Sequence, residues 1–369
     1  MRALVAAGLV LVVAACSTPE PGGNAPSKAP APRGLKVEQV AGGFEHAWDL
    51  GFLPDGSLLV SERPARLKLV KDGRVTPVDA DLGDVQVRGE GGLMGLVVHP
   101  DGKRFTACYN TAEDVRLVTF RLEGAKATKT KDLLTGMPSN SSGRHSGCRP
   151  TLAPDGTMFV ATGDIAQGRN PQDRTSLGGK VLRIDPETGE GAKGNPFESS
   201  QNANERRIYS YGHRNVQGVV FRPGSGQAFS SEHGPSVDDE VNLLKAGGNY
   251  GWDPSQGGTR GGYDESVPMT DLRRFPDAVP AVWSSGSPTE AICQPAFWNG
   301  KLAVTALKGA KLMLFTLDDA GKVRDVSVPD ELNDRYGRLR AARTAPDGSL
   351  YLTTSNGSDD KLLRLTGAA

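Results

Sequence analysis

The chain has 369 residues, with 43 Lys and Arg balanced by 43 Asp and Glu, so its overall charge gives no support to a polyanionic partner such as nucleic acid. Its 47 glycines and 25 prolines break long helices and favour short strands joined by tight turns. The body of the chain therefore reads as all-β.

In chain order, the first segment is MRALVAAGLVLVVAAC, one Arg followed by thirteen uncharged residues from Ala3 to Ala15 and then Cys16. That run is too short to span a bilayer and has the proportions of a signal-peptide core. Val13-Ala14-Ala15-Cys16 resembles the bacterial lipobox, which makes residues 1–15 a cleaved leader and Cys16 the lipidated N-terminus. An ordinary secretory signal with an incidental Cys is the competing reading. Residues 16–34 are rich in Pro, Gly, Ser and Ala and read as a flexible tether that buries no core. Residues 35–369 are then an exported domain, lipid-anchored at the outer face of a bacterial membrane. In that oxidising setting one disulfide and one free thiol are expected among Cys108, Cys148 and Cys293. The sequence leaves the pairing open, with Cys108 and Cys148 the preferred pair.

Six copies of one pattern follow, each a tight turn leading into an apolar strand. They are LPDGSLLVSER from Leu53, HPDGKRFTACYN from His99, APDGTMFVATGD from Ala153, RPGSGQAFSSEHG from Arg222, FWNGKLAVTAL from Phe297 and APDGSLYLTTSN from Ala345. A second apolar strand comes after each, beginning near Arg66, Arg116, Gly178, Asp239, Ala310 and Lys361. The Asp-Gly turn supplies the left-handed backbone position that a tight β-connection needs. Six such units closing on themselves make a six-bladed β-propeller, against which an open β-sandwich is the alternative. In a propeller, loops far apart in sequence meet at one mouth.

The side chains suited to chemistry lie in those loops. His145 belongs to RHSGCR, Arg214 and Asn215 to GHRNVQG, Lys308 follows the fifth strand copy, and Arg338 and Arg340 precede the sixth. Such a set suits a ligand that carries several carboxylates. The stretch EHGPSVDDEVNLLKAGGNYGW, from Glu232 to Trp252, packs four carboxylates into nine residues, which repel unless solvated or shared with a cation. No Gly-x-Ser-x-Gly elbow, His-Glu-x-x-His, Walker loop or dinucleotide fingerprint is present.

The ordered set GGLMGLVVHPDG, HSGCRPTLAPDG with TGD, GGKVLRID, GHRNVQG, EHGPSVDDEVN with GGNYGW, LKG and RLRAARTAPDG resembles the soluble quinoprotein sugar dehydrogenases, also called glucose/sorbosone or aldose sugar dehydrogenases, across residues 36–366. The resemblance implies a six-bladed propeller that binds pyrroloquinoline quinone (PQQ) and calcium at its mouth. It implies that His145 is the general base for the anomeric hydroxyl of a sugar, a task suited to a group that titrates near neutrality. Arg214 and Asn215 match the pair beside the quinone's reactive carbonyl, and Lys308, Arg338 and Arg340 match the groups on its carboxylates. Gly234 and Pro235 match backbone ligands of the cofactor calcium, and Glu240 with Tyr250 a second calcium site. Asp164 and Gln172 fall at sugar-side and supporting positions.

The departures cluster on the sugar side. Glu90 stands where relatives carry Gln, and Arg144 precedes the base where some relatives carry an acid, so the acid that orients His145 is absent from that position. His233 replaces an amide. The expected activity is oxidation of an aldose or similar alcohol, with an unspecified electron acceptor. A cell-surface binding module without redox chemistry is the alternative, and a lactonase ranks behind both.

Overall fold

The turn chemistry of the repeat builds the fold. In three copies, Asp55, Asp155 and Asp347 each accept from the backbone N–H and the hydroxyl two residues on, which closes the turn. The glycine between, Gly56, Gly156 or Gly348, takes φ above 80°, a region open chiefly to glycine. The other oxygen of each Asp reaches a base two strands away, Lys71 at 2.9 Å, Arg183 at 2.9 Å and Arg364 at 2.7 Å. One residue thus ends the first strand and pins the third.

The computed structural model describes residues 34–256 and 262–367, so the leader, Cys16 and the tether up to residue 33 lie outside the described residues. The strands in chain order are β1 (Lys36–Phe44), β2 (Ala47–Phe52), β3 (Leu58–Glu62), β4 (Arg66–Lys71), β5 (Arg74–Ala80), β6 (Leu93–Val98), β7 (Arg104–Asn110), β8 (Val115–Glu123) and β9 (Lys126–Met137). They continue as β10 (Arg149–Leu152), β11 (Met158–Ala161), β12 (Lys180–Ile184), β13 (Ile208–Tyr211), β14 (Val216–Phe221), β15 (Ala228–Glu232), β16 (Glu240–Leu243) and β17 (Trp283–Ser284). The last are β18 (Ile292–Trp298), β19 (Lys301–Ala306), β20 (Lys311–Leu317), β21 (Val323–Ser327), β22 (Leu339–Thr344), β23 (Leu350–Thr354) and β24 (Asp360–Thr366). A five-residue helix, Ala203–Arg207, is capped by the Asn202 side chain.

β10–β13, β14–β17 and β18–β21 are four-stranded antiparallel sheets, and β22–β24 take β1 as their fourth strand. β2–β9 form one eight-stranded sheet whose two halves join through only two parallel residue pairs, Asp79 with Lys126 and Ala80 with Ala127. The strands β2, β6, β10, β14, β18 and β22 contact one another in that cyclic order, with β22 returning to β2. Pairing of β1 with β24 joins the first and last described strands within one sheet, so the closure is held by backbone hydrogen bonds.

Between neighbouring sheets lie apolar layers such as Leu59, Leu96, Phe105 and Phe120, and Phe159, Val181, Val216 and Val219. At the centre the layer is polar. Fully buried Arg149 lies 2.7 Å from Asp49, donates to the Gln217 carbonyl at 2.7 Å and to Gln294 at 2.8 Å, and stacks 4.1 Å from the Trp48 ring. Arg343 reaches Asp49 and the Leu96 carbonyl, each at 3.0 Å. This network ties all six inner strands together. The expected disulfide forms between Cys108 and Cys148, and Cys293 is a buried free thiol.

Candidate active site

His145 lies in the connection from β9 to β10, and Asp164 just past β11. They meet because Gly163, bridged to Asn215, leaves no room for a side chain: a Cβ there would stand 1.9 Å from the His145 carbonyl. His145 is buried, takes a left-handed backbone with φ 52°, and places Nδ1 2.8 Å from Asp164 Oδ1. Asp164 also accepts from the Ala166 N–H at 2.8 Å, the Trp252 indole at 2.9 Å and the Tyr263 hydroxyl at 2.7 Å. Three other donors already make this carboxylate an acceptor, so the His145 tautomer that fits donates through Nδ1 and leaves the lone pair on Nε2. Asp164 is therefore the orienting acid that position 144 does not provide. It is fully buried, so it supports the base and does not face a sugar.

The Asp164 N–H donates to the Arg214 carbonyl at 2.7 Å, which brings Arg214 and Asn215 beside the base. Glu90 joins the two from the other side, accepting from the His145 N–H at 3.1 Å and the Asn215 amide at 3.3 Å. The Arg214 guanidinium donates to the His233 carbonyl at 3.1 Å and pairs with Glu265. Burial and the charges of Arg214 and Arg340 push the His233 imidazole down to about 3, so it is neutral. Gln172 exchanges two hydrogen bonds with Asn249 and donates to the Trp252 carbonyl, a supporting position for the loop.

A cleft of about 220 Å³ opens here, with Trp48, Glu90, Gln217, His233, Arg338 and Arg340 in its wall. Leu307 also lines it, so the exposed Lys308 follows directly from the wall. Arg338 is exposed, while half-buried Arg340 donates to Ser355 at 3.3 Å and lies 5.2 Å from the Trp48 ring. Two buried polar atoms of lining residues, Trp48 Nε1 and His233 Nε2, and two of residues bonded to that lining, Arg214 Nε and Asn215 Oδ1, find no hydrogen-bond partner among the described residues. Buried polar groups are ordinarily paired. These atoms, with the guanidinium groups beside them, fit a planar ligand carrying carbonyls and carboxylates.

In the acidic stretch, Asp239 staples the loop, accepting from the Gly234, Glu290 and Ile292 N–H groups at 2.9, 2.8 and 3.2 Å. Gly234 packs against the Val237 carbonyl, where a Cβ would stand 2.0 Å away, and Pro235 continues that turn. Glu240 pairs across the sheet with Glu232. Burial and the Glu232 charge push the Glu240 carboxyl up from its usual range. Asn242 donates to both carboxylates, leaving its own Oδ1 without a partner among the described residues, and Tyr250 stacks on His213 at 4.5 Å. These oxygens suit a hard cation. Among the described residues, no group of three His, Cys, Asp or Glu side chains gathers as a metal site.

Three contributors escaped the sequence reading. Trp252 was quoted only as part of a motif, and Tyr263 and Glu265 lie in the excursion between β16 and β17, outside the repeat. The Tyr263 hydroxyl stands 3.2 Å from His145 Nδ1 as well as bonding Asp164. An aromatic and an acid two residues apart in a glycine-rich loop carry no signal of their own.

Residues 44–364 match the family model described as glucose/sorbosone dehydrogenase. The chain is 30% identical over 353 residues to the aldose sugar dehydrogenase YliI of Escherichia coli K12, covering 90% of this chain and 93% of that protein. It resembles the PQQ-bound form of the aldose sugar dehydrogenase from Streptomyces coelicolor, with 32% identity, TM-score 0.74 and coverage of 91% and 99%. The apo-form of the soluble aldose sugar dehydrogenase from Escherichia coli aligns with TM-score 0.79 at 29% identity, over 90% of this chain and 99% of that one. The chain belongs to the glucose/sorbosone dehydrogenase family and is an oxidoreductase of the propeller fold seen in these structures.

Proposed function

We propose that the protein oxidises the anomeric carbon of an aldose or similar alcohol, with PQQ and calcium held in the cleft beside His145. The observation that carries this is the His145–Asp164 pair, which fixes an imidazole whose backbone bonds Glu90, itself in the wall of a cleft that Arg338 and Arg340 also line. His145 Nε2 takes the proton of the anomeric hydroxyl as the hydrogen on that carbon departs with its electron pair, leaving a lactone. Asp164 stabilises the imidazolium so formed. Bound PQQ supplies the hydride acceptor, made more electrophilic by calcium. Arg214 and Asn215 orient it from one side, and Lys308, Arg338 and Arg340 pair with its carboxylates. The Gly234 and Pro235 carbonyls hold the cofactor calcium, and Glu240 with the Tyr250 carbonyl a second one. Glu90 borders the substrate side.

The same reading counts the eight-stranded sheet as two blades, which gives six around the axis. It takes residues 35–369 as one domain, exported and anchored through lipid on Cys16. β1 starts at Lys36, paired with Thr366, whereas the opposite end of β24 lies by Arg338 through Asn356 and Asp360. The described chain thus begins at the end of the fold away from Arg338.

The test is reconstitution of the purified protein with calcium and PQQ, followed by dye reduction across a panel of aldoses. Sugar-dependent dye reduction that requires both additions is expected. No turnover with the quinone demonstrably bound would sink the catalytic reading and leave a binding module.

A further inference from the structure

Glu265 divides its carboxylate between two guanidinium groups: Oε1 pairs with Arg214, and Oε2 accepts from Arg144 at 2.6 Å. Arg214 is held in place by the rest of its surroundings, with Nη1 on the His233 carbonyl and the guanidinium 5.8 Å from the Trp252 ring. Its side chain is 4% exposed and its Nε has no partner among the described residues. Arg144 lies 5.5 Å from the ring of Tyr263, two residues before Glu265. One short segment therefore delivers a hydroxyl to the base and its acid, and a carboxylate to the two cations that flank them.

With Glu265 ionised, the trio carries one net positive charge; without it, two. Burial works to raise the Glu265 carboxyl, but its bonds to Arg214 and Arg144 outweigh that and hold it below the usual carboxylate range. The carboxylate is 32% exposed, so solvent weakens its grip without removing it.

We propose that Glu265 is a positioning residue that sets how much of the Arg214 charge reaches an anionic ligand in the cleft. It pins the guanidinium beside Trp252 and offsets its field. This rests on the reading that a quinone occupies the cleft. A two-electron reduced quinone carries more negative charge on its oxygens than the oxidised form, so the reduced form gains more when Arg214 is unmasked. A unit charge acting over roughly 10 Å at an effective dielectric of about 20 corresponds to at least a tenfold change in an equilibrium constant.

The experiment compares wild type, Glu265→Gln and Glu265→Asp in two measurements. Calorimetry follows oxalate binding to the cofactor-free protein, and a spectroelectrochemical titration in calcium buffer gives the midpoint potential of bound PQQ. In Glu265→Gln, oxalate should bind about tenfold tighter and the midpoint should rise by about 30 mV, the equivalent of tenfold for a two-electron couple. Glu265→Asp keeps the charge and should stay near wild type in both. Unchanged oxalate affinity, an unchanged midpoint with quinone bound, or equal effects in the two variants overturns the assignment. If wild type takes up no PQQ, the functional reading falls while the oxalate series still decides the role of Glu265.

Discussion

His145 Nδ1 stands 2.8 Å from Asp164 Oδ1, and every oxygen of that carboxylate is committed to a second donor, to Ala166 on one side and to Trp252 and Tyr263 on the other. The arrangement selects one tautomer. Asp164→Asn offers an amide that can donate to Nδ1, which would turn the ring over and place the proton on Nε2. We expect kcat to fall by about 10²–10⁴-fold with PQQ affinity retained. His145→Ala should abolish turnover with the same retention of quinone. Full activity in His145→Ala would remove the assigned base.

Arg338 has a different duty. It lines the cleft and has no bond to His145 or Asp164 among the described residues, and the proposed function assigns its guanidinium to the ligand's carboxylates. Arg338→Ala should weaken PQQ binding by about 1.5–3 kcal/mol, a factor of roughly ten to a hundred, with kcat at saturating quinone little changed. An absorbance titration in calcium buffer reads this, and an unaltered affinity would show the residue to be surface charge.

What could be read in the sequence follows the range of the interactions. Three of the six turns were visible because Asp, Gly and a hydroxyl in consecutive positions contain all of their own chemistry, as at Asp55 and Asp347, and the other three through the strand pattern that follows them. His145 and Arg214 were visible through their motifs. The partner of the base was sought next to it in sequence, at Arg144, but Asp164 reaches it from the next strand connection because Gly163 lets the two chains touch. Glu265 bonds across 51 and 121 residues to Arg214 and Arg144, from a loop that departs from the repeat, and no local pattern announces it. The axial Asp49–Arg149 pair spans a hundred residues and was likewise invisible.

That pair makes a prediction about stability. Burial opposes ionisation of Asp49, yet Arg149 and Arg343 overcome it and hold the carboxyl below its usual range. Asp49→Asn would leave two guanidinium groups, one fully buried, facing a neutral amide, at a cost of about 3–5 kcal/mol in urea unfolding. In the wild type this stabilisation is present above the unfolded carboxylate value of about 3.9 and is lost as pH falls through the lower folded value. A variant whose unfolding midpoint matches wild type at neutral pH would mean the axis is held by its apolar layers alone.

Lys180 gives a pH dependence of the same sign in a higher window. Its ammonium is fully buried at the base of the loop that carries Gln172, donating to the carbonyls of Asn170, Pro171 and Gly178 at 2.5, 3.1 and 2.7 Å. Burial pulls it down to about 7, against an unfolded value of about 10.4. Between those two values the unfolded chain binds more protons than the folded one, so this group makes the protein more stable as pH rises, by up to about 1.4 kcal/mol per pH unit. Below about 7 its desolvation penalty is paid in full. Urea unfolding of the wild type and Lys180→Met across this window isolates the slope, because every other titrating group is common to both. Parallel stability curves would show that the three carbonyls keep the lysine charged throughout.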